Sequence, residues 1–154
     1  MNSDKTLRLV LGNQLFPIST HNFAENETVF MCEDLGLCSD VKHHKSKIAL
    51  FFSAMRSFRD ELEKNKINVI YYDYSNDFET DYCEKLIKTI SSNGIKKIVF
   101  FEIEDKLFEK KVLKSLDKHK IHFEQKITPM FIDDRDSFSD FCNEKDFLLQ
   151  ANYY

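Results

Sequence analysis

The segment Gly12-Asn13-Gln14 combines a glycine with two side-chain amides, directly after a short apolar run near the start of the chain. Side-chain amides donate and accept hydrogen bonds, so Asn13 and Gln14 are suited to the polar edge of a heterocyclic ligand. Gly12 has no Cβ and allows the backbone to approach such a ligand closely. The segment predicts one wall of a binding site, and the alternative is a turn that binds nothing.

A second polar segment, Cys32-Glu33-Asp34, ends the next apolar run. An acidic side chain at this point of a dinucleotide-binding fold accepts hydrogen bonds from ribose hydroxyls. The sequence lacks both the glycine-rich fingerprint and the P-loop that cradle phosphates in nucleotide-binding proteins. Glu33 or Asp34 is therefore a candidate acceptor for a hydroxyl chain or a ring nitrogen, unless both only contact water.

Two adjacent histidines, His43 and His44, open the densest basic stretch of the chain. Adjacent residues point in different directions on a helix, so one metal ion bound by both is not expected. At a helix amino terminus they are candidates for hydrogen bonds to a phosphate or a heterocycle, or they lie in a solvated helix start. Further along, Ile48 and Phe51 could flank a planar ring, although most of their apolar stripe must be core.

Five short apolar runs predict the strands of one parallel sheet, because they are mostly apolar on both faces rather than alternating. They cover residues 7–11, 28–32, 68–72, 97–101 and, more weakly, 122–126. Such strands are buried on both sides, so we expect helices to cover both faces of the sheet.

Apolar residues that recur at three- and four-residue steps predict the helices between these strands. They fall at about 45–64, 83–90, 107–116 and 137–141. The pair Asn93-Gly94 predicts the end of the second helix, since glycine adopts the left-handed turn there. The alternation of strand and helix predicts an α/β, doubly wound, Rossmann-like sheet that binds ligands at the carboxyl ends of its strands.

The length and composition predict a single domain over residues 1–154, with 42% hydrophobic residues. A net charge of −4 argues against a surface that binds nucleic acid throughout. No apolar run approaches the ~20 residues that cross a bilayer, and the first residues do not resemble a signal peptide. We therefore expect no membrane contact and a cytoplasmic location.

The four cysteines lie far apart and form no C-x-x-C pair; they are Cys32, Cys38, Cys83 and Cys142. This spacing is poor for a zinc or iron–sulfur site, and reduced thiols are expected in the cytoplasm. No nucleophile and base stand in a recognisable arrangement, so we predict no catalytic residue and no metal site in this chain.

Three segments resemble the amino-terminal part of the deoxyribodipyrimidine photolyase-related proteins, the iron–sulfur branch of the photolyases and cryptochromes. They are Val10–Leu15 (V-L-G-N-Q-L), His43–Ile48 (H-H-K-S-K-I) and Ser53–Arg56 (S-A-M-R). In this family the first segment usually reads G-D-Q-L, so Asn13 replaces an acid. The resemblance implies a pocket for an antenna chromophore, 6,7-dimethyl-8-ribityllumazine. Together with the strand-end and stacking arguments above, it gives the candidate pocket residues Gly12, Asn13, Gln14, Cys32, Glu33, Asp34, His43, His44, Ile48 and Phe51.

The resemblance also implies what this chain does not contain. Family members hold flavin adenine dinucleotide (FAD), a 4Fe-4S cluster and their DNA-binding surface in a helical domain, toward which Phe147–Tyr154 would lead. We therefore expect an antenna domain of a light-dependent repair enzyme or blue-light cryptochrome, without repair activity of its own. A helical domain or partner chain, or self-association, would cover its docking face. The alternatives are a scaffold or regulatory module without chromophore and a nucleotide-binding α/β protein.

Overall fold

The computed structural model describes residues 5–39, 42–75 and 77–143. Its strands are β1 (Thr6–Leu9), β2 (Glu27–Cys32), β3 (Asn68–Tyr72), β4 (Lys97–Phe101) and β5 (His122–Lys126). They form one sheet in the order β3-β2-β1-β4-β5, and all neighbouring strands are parallel. This order confirms the predicted doubly wound fold. The predicted end segment Phe147–Tyr154 lies outside the described residues.

Helices connect these strands and lie on both faces of the sheet, as predicted. They are α1 (Ile18–His21), α2 (Leu35–Ser39), α3 (Lys45–Lys64), α4 (Tyr82–Asn93), α5 (Lys106–Lys118) and α6 (Arg135–Asn143). The bounds of α3 are those predicted, because its apolar stripe is continuous over the whole helix. The short helices α1 and α2 were not predicted, since four or five residues are too few to show a helical period. None of the described helices is long and apolar enough to span a membrane.

The two faces of the sheet have separate cores. On the first face, α4 and α5 pack on side chains of β1, β2 and β4, with Leu7, Leu9, Phe30, Leu86, Ile98 and Leu116 at the centre. On the second face, α3 packs on the opposite side chains of β1 and β2, with Val10, Val29, Met31, Met55, Phe58 and Leu62 at the centre. Burial of both faces explains why the strands are not alternating in sequence.

Side chains at the helix ends fix where the longer helices begin and end. The Nδ1 atom of His44 accepts a hydrogen bond from the backbone N–H of Ser46 at the start of α3. Asp81 and Asp105 cap α4 and α5 in the same way. Gly94 ends α4 with φ at 63°, which confirms the predicted glycine stop. The three amino-terminal caps all stand at the edge of the sheet where the strands end.

An aromatic cage encloses His21 on the second face of the sheet. Its ring stacks on Phe23 with centroids 4.9 Å apart, and Phe58 and Phe101 lie 5.6 and 5.4 Å away. Within the described parts of the chain, neither ring nitrogen of His21 has a hydrogen-bond partner within 3.5 Å. Burial, and next the positive charge of Arg8, lower the pKa of His21 to about 4. The imidazole is therefore neutral at physiological pH.

Candidate ligand-binding site

The turn that follows β1 lies directly against α3. A Cβ on Gly12 would stand 2.7 Å from the sulfur of Met55 and closer still to the ring of Phe51. Its φ lies outside the left-handed region, so the glycine is required by close packing and not by backbone conformation. The close approach predicted for Gly12 thus exists, and its partner is helix α3.

Gly12→Ala is expected to lower the free energy of unfolding by about 1–3 kcal/mol, because the added methyl group overpacks the contact with Phe51 and Met55. Urea denaturation followed by circular dichroism measures this change. Adding Phe51→Leu to Gly12→Ala should recover part of the loss, since it removes atoms at the clash.

Gly94→Ala is the matched control for this prediction. No atom lies within 4 Å of the position that a Cβ on Gly94 would take. The loss of stability in Gly94→Ala comes instead from the positive φ of this residue. Phe51→Leu should therefore not restore the stability of Gly94→Ala. A Gly12→Ala protein as stable as the wild type would show that the turn has room for a side chain.

The two amides after β1 bridge to the end of β4. Gln14 Nε2 donates to the backbone oxygen of Glu102 at 2.7 Å and to the carboxylate of Glu104 at 3.2 Å. Asn13 Nδ2 donates to Glu104 at 2.9 Å, and the hydroxyl of Thr128 donates to the same carboxylate. The order of the sheet reverses between β1 and β4, and ligands of doubly wound proteins bind at that point. The amides therefore lie at the expected edge.

The side-chain oxygen of Gln14 has no hydrogen-bond partner in the part of the chain that the structure describes. Gln14 is 1% exposed, and its Oε1 accepts no hydrogen bond within the described residues. The orientation of the amide follows from its donor side, because Nε2 faces the oxygens of Glu102 and Glu104. The edge therefore holds an oxygen that can accept a hydrogen bond from a ligand.

Glu33 is fully buried at this end of the sheet and accepts hydrogen bonds on both of its oxygens. Its carboxylate is 0% exposed and accepts from Arg56 Nε at 2.7 Å and Arg56 Nη2 at 2.8 Å. Tyr71 Oη donates at 2.7 Å and the backbone N–H of Tyr74 at 2.9 Å. Burial alone raises the pKa of Glu33, yet the hydrogen bonds from Arg56 and Tyr71 outweigh it and leave the pKa below its usual value. Both oxygens are occupied, so a ligand would have to replace one of these donors.

Cys32 and Asp34 do not share the surroundings of Glu33. Cys32 belongs to the core under α4 and α5, whereas Glu33 bonds to Arg56 on α3. Burial raises the pKa of the Cys32 thiol to about 12, so it remains protonated. Asp34 is half-buried and directly precedes α2. The structure therefore brings Glu33, and not Cys32, to the helix that covers Gly12.

The residues predicted on α3 fall into two groups. His43 and His44 lie at the start of the helix, where His44 caps it and His43 Nδ1 lies 3.3 Å from Lys47 Nζ. Ile48 and Phe51 are half-buried, and Phe51 is the one that meets Gly12. The histidines thus stand at an exposed helix start, away from the packed part of the edge.

Four residues at this edge were not among the sequence candidates: Arg56, Tyr71, Glu102 and Glu104. An acidic residue after an apolar run was the signal that selected Glu33. The same signal follows Phe101 and would have found Glu102 and Glu104. Arg56 belongs to the S-A-M-R segment, but nothing local indicates that it pairs with Glu33 or that Tyr71 does, because these contacts span 23 and 38 residues of chain.

Arg135, the first residue of helix α6, reaches this edge. Arg135 donates to the carboxylate of Glu109 at 2.7 Å and to the backbone oxygen of Ile103. It also lies 3.7 Å from the carboxylate of Glu102. Burial alone raises the pKa of Glu109, but hydrogen bonds from Arg135 and Gln125 leave it lowered. No side chain of α6 is buried, so Arg135 joins this helix to the sheet edge through hydrogen bonds and ion pairs rather than through the core.

The sheet order defines a doubly wound α/β protein. Its polar edge lies between β1 and β4, where proteins of this fold class bind their ligands. A family model described as deoxyribodipyrimidine photo-lyase-related protein matches residues 8–154. The chain therefore belongs to this family, which confirms the resemblance seen in its three segments.

One relative shows how small a part of a longer protein this match covers. Over 68 residues the chain is 43% identical to a (6-4) photolyase of Agrobacterium fabrum. The match covers 42% of this chain and 13% of that photolyase. The matched segment is thus a minor fraction of the relative's length.

Proposed function

We propose that this chain is the amino-terminal antenna domain of a photolyase-related protein and binds 6,7-dimethyl-8-ribityllumazine at the β1–β4 edge. The observation that carries the proposal is the buried, unpartnered Oε1 of Gln14. A lumazine presents ring atoms and ribityl hydroxyls, and a hydroxyl would donate to this oxygen. Asn13 and Glu104 offer further polar atoms beside it.

The other candidate residues would act on such a chromophore in different ways. Phe51 and Ile48 supply apolar surface for a planar ring. Glu33 would hold α3 in place through its ion pair with Arg56. It would contact the ligand only if one of its present hydrogen-bond donors moved away. His43 and His44 would meet the ligand only where it extends to the start of α3. Cys32 and Asp34 remain the least supported contacts, since Cys32 belongs to the opposite core.

We propose further that FAD, a 4Fe-4S cluster and the DNA-binding surface belong to a helical domain or partner chain. In the described parts of the chain, no three acidic, cysteine or histidine side chains are grouped so as to hold a metal ion. Exposed apolar side chains at Ile127, Phe131, Ile132 and Phe138 would form the docking face. Light-dependent repair or blue-light sensing, in the cytoplasm, would require that second part. The isolated chain is expected to repair no lesion.

An absorption titration with ribityllumazine tests the chromophore proposal. The purified chain should bind ribityllumazine, and binding should shift the absorption spectrum of the ligand. Gln14→Leu should raise the dissociation constant roughly tenfold, which corresponds to the loss of one hydrogen bond. Gln125→Leu is the matched control, because it makes the same change two strands away from β1. Equal loss in both variants, or an unchanged spectrum with the wild type, would contradict the proposal.

A scaffold without chromophore is the second candidate. It is favoured by the hydrogen bonds from Gln14 Nε2 to Glu102 and Glu104 and from Asn13 Nδ2 to Glu104, because the chain's own residues already accept from these amides. Such a protein would be colourless, and its melting temperature would not respond to lumazine or flavin. The absorption titration therefore separates the two candidates.

A further inference from the structure

A buried lysine without a partner lies on α4, on the face of the sheet away from α3. Lys85 is 1% exposed, and its Nζ makes no hydrogen bond within the described residues. A buried ammonium group is strongly unfavourable unless it is paired, so such lysines have a partner or are neutral. Lys85 therefore indicates a missing acceptor.

Tyr82 is a second buried donor on the same face of the helix. It is 3% exposed, and its hydroxyl has no hydrogen-bond partner among the described residues. Its ring is fixed between Phe30, 5.8 Å away, and Phe108, 5.0 Å away. Residues three apart lie together on a helix surface, so Tyr82 and Lys85 are neighbours. Two adjacent buried donors thus lack an acceptor.

Both donors belong to the first turns of α4, a helix of 12 residues. Helical side chains point back toward the amino terminus, so Lys85 extends toward the positive end of the helix dipole and the end of β2. The Lys85 charge lowers the pKa of the Cys32 thiol, against the larger effect of burial, which is consistent with that direction. Asp34 also acts electrostatically on Cys32 and Tyr82, yet Lys85 donates no hydrogen bond to it.

We propose that Lys85 and Tyr82 form an anion site between the end of β2 and the start of α4, which takes a phosphate group. A phosphate offers several acceptor oxygens and two negative charges, so one group can pair both the ammonium and the phenol. Asp81 already caps the helix terminus, so the site rests on these two side chains. The phosphate is either free or carried by a nucleotide, since both present the same oxygens. This site lies on the face of the sheet opposite α3 and does not depend on the lumazine proposal.

Thermal unfolding of the full chain with inorganic phosphate tests the site. At 100 times the dissociation constant, we expect phosphate to raise the melting temperature of the wild type by roughly 5–10 °C. Lys85→Met keeps the buried volume and removes the charge, so it should weaken phosphate binding at least tenfold. Lys88→Met is the matched control, because it makes the same change at an exposed position of α4. It should leave binding unchanged.

A second variant protects the test against misfolding. Tyr82→Phe keeps the ring between Phe30 and Phe108 and removes only the hydroxyl, so it should fold and weaken phosphate binding severalfold. Without phosphate, Lys85→Met should melt above the wild type, because an unpaired buried charge is gone. If adenosine monophosphate stabilises the wild type through Lys85 and inorganic phosphate does not, the phosphate group belongs to a nucleotide. A wild-type melting temperature that responds to neither, or an equal response in Lys85→Met, would overturn the proposal.

Discussion

Arg56→Met is expected to lower the free energy of unfolding at neutral pH by about 3–5 kcal/mol, the cost of leaving a buried charge without its partner. The reason is the asymmetry of the pair: the side chain of Arg56 is 38% exposed, whereas Glu33 has no exposure at all. Arg56 can reach water when Glu33 is removed, but Glu33 cannot when Arg56 is removed. Urea denaturation of the single variants measures the difference, and Glu33→Gln should cost less than Arg56→Met.

The pH dependence of this pair has a definite sign. The folded pKa of Glu33 lies below its ordinary value of 4.5, so the stability it adds is present above that pH and is lost as the pH falls. The wild-type advantage over Arg56→Met should therefore shrink in acid. Arg59→Met is the control, because Arg59 pairs with the exposed Asp60 and should cost less than about 1 kcal/mol. Equal losses from Arg56→Met and Arg59→Met would refute the buried-charge explanation.

His21 is expected to make the domain less stable by about 3 kcal/mol as the pH falls from 6.5 to 4. The folded pKa is about 4 and the unfolded value 6.5, and each unit corresponds to about 1.4 kcal/mol. The unfolded chain binds the proton first, so this contribution is complete above pH 6.5 and lost progressively below it. The free energy of unfolding measured at half-unit steps of pH would show the slope.

His21→Phe isolates this effect, because a phenyl ring fits a cage built of phenylalanines and carries no proton. The slope between pH 4 and 6.5 should flatten in His21→Phe. It should persist in His122→Phe, which changes an exposed histidine on β5 and leaves the cage intact. A slope unchanged by His21→Phe would mean that other groups titrate in this range.

The architecture was predictable because its signals are local. Apolar runs and the three- and four-residue steps of α3 mark elements directly, and the rule that strands of this class end at a ligand edge selected Gln14 and Glu33. Helices α1 and α2 left no such signal, since they contain fewer than two turns.

The partners of the edge residues were not predictable in the same way. Glu33 was a candidate acceptor for a ligand, yet its oxygens are occupied by Arg56 and Tyr71, which are distant in sequence. The pattern of residue types along the chain indicates that a carboxylate lies at the end of a strand. It does not indicate whether a positively charged side chain of the same protein pairs with that carboxylate. Lys85, which has no hydrogen-bond partner among the described residues, was not predicted as a site residue. A lysine in a helical sequence gives no sign of being buried.

Helix α6, which Arg135 joins to the sheet edge, is expected to be a local unfolding unit. With no side chain in the core, α6 can open without the loss of buried apolar area that unfolding of α3 requires, so its amides should exchange with solvent far sooner. Each opening withdraws the guanidinium group from Glu109 and Glu102. Opening of α6 therefore makes the electrostatic potential at the end of β4 more negative.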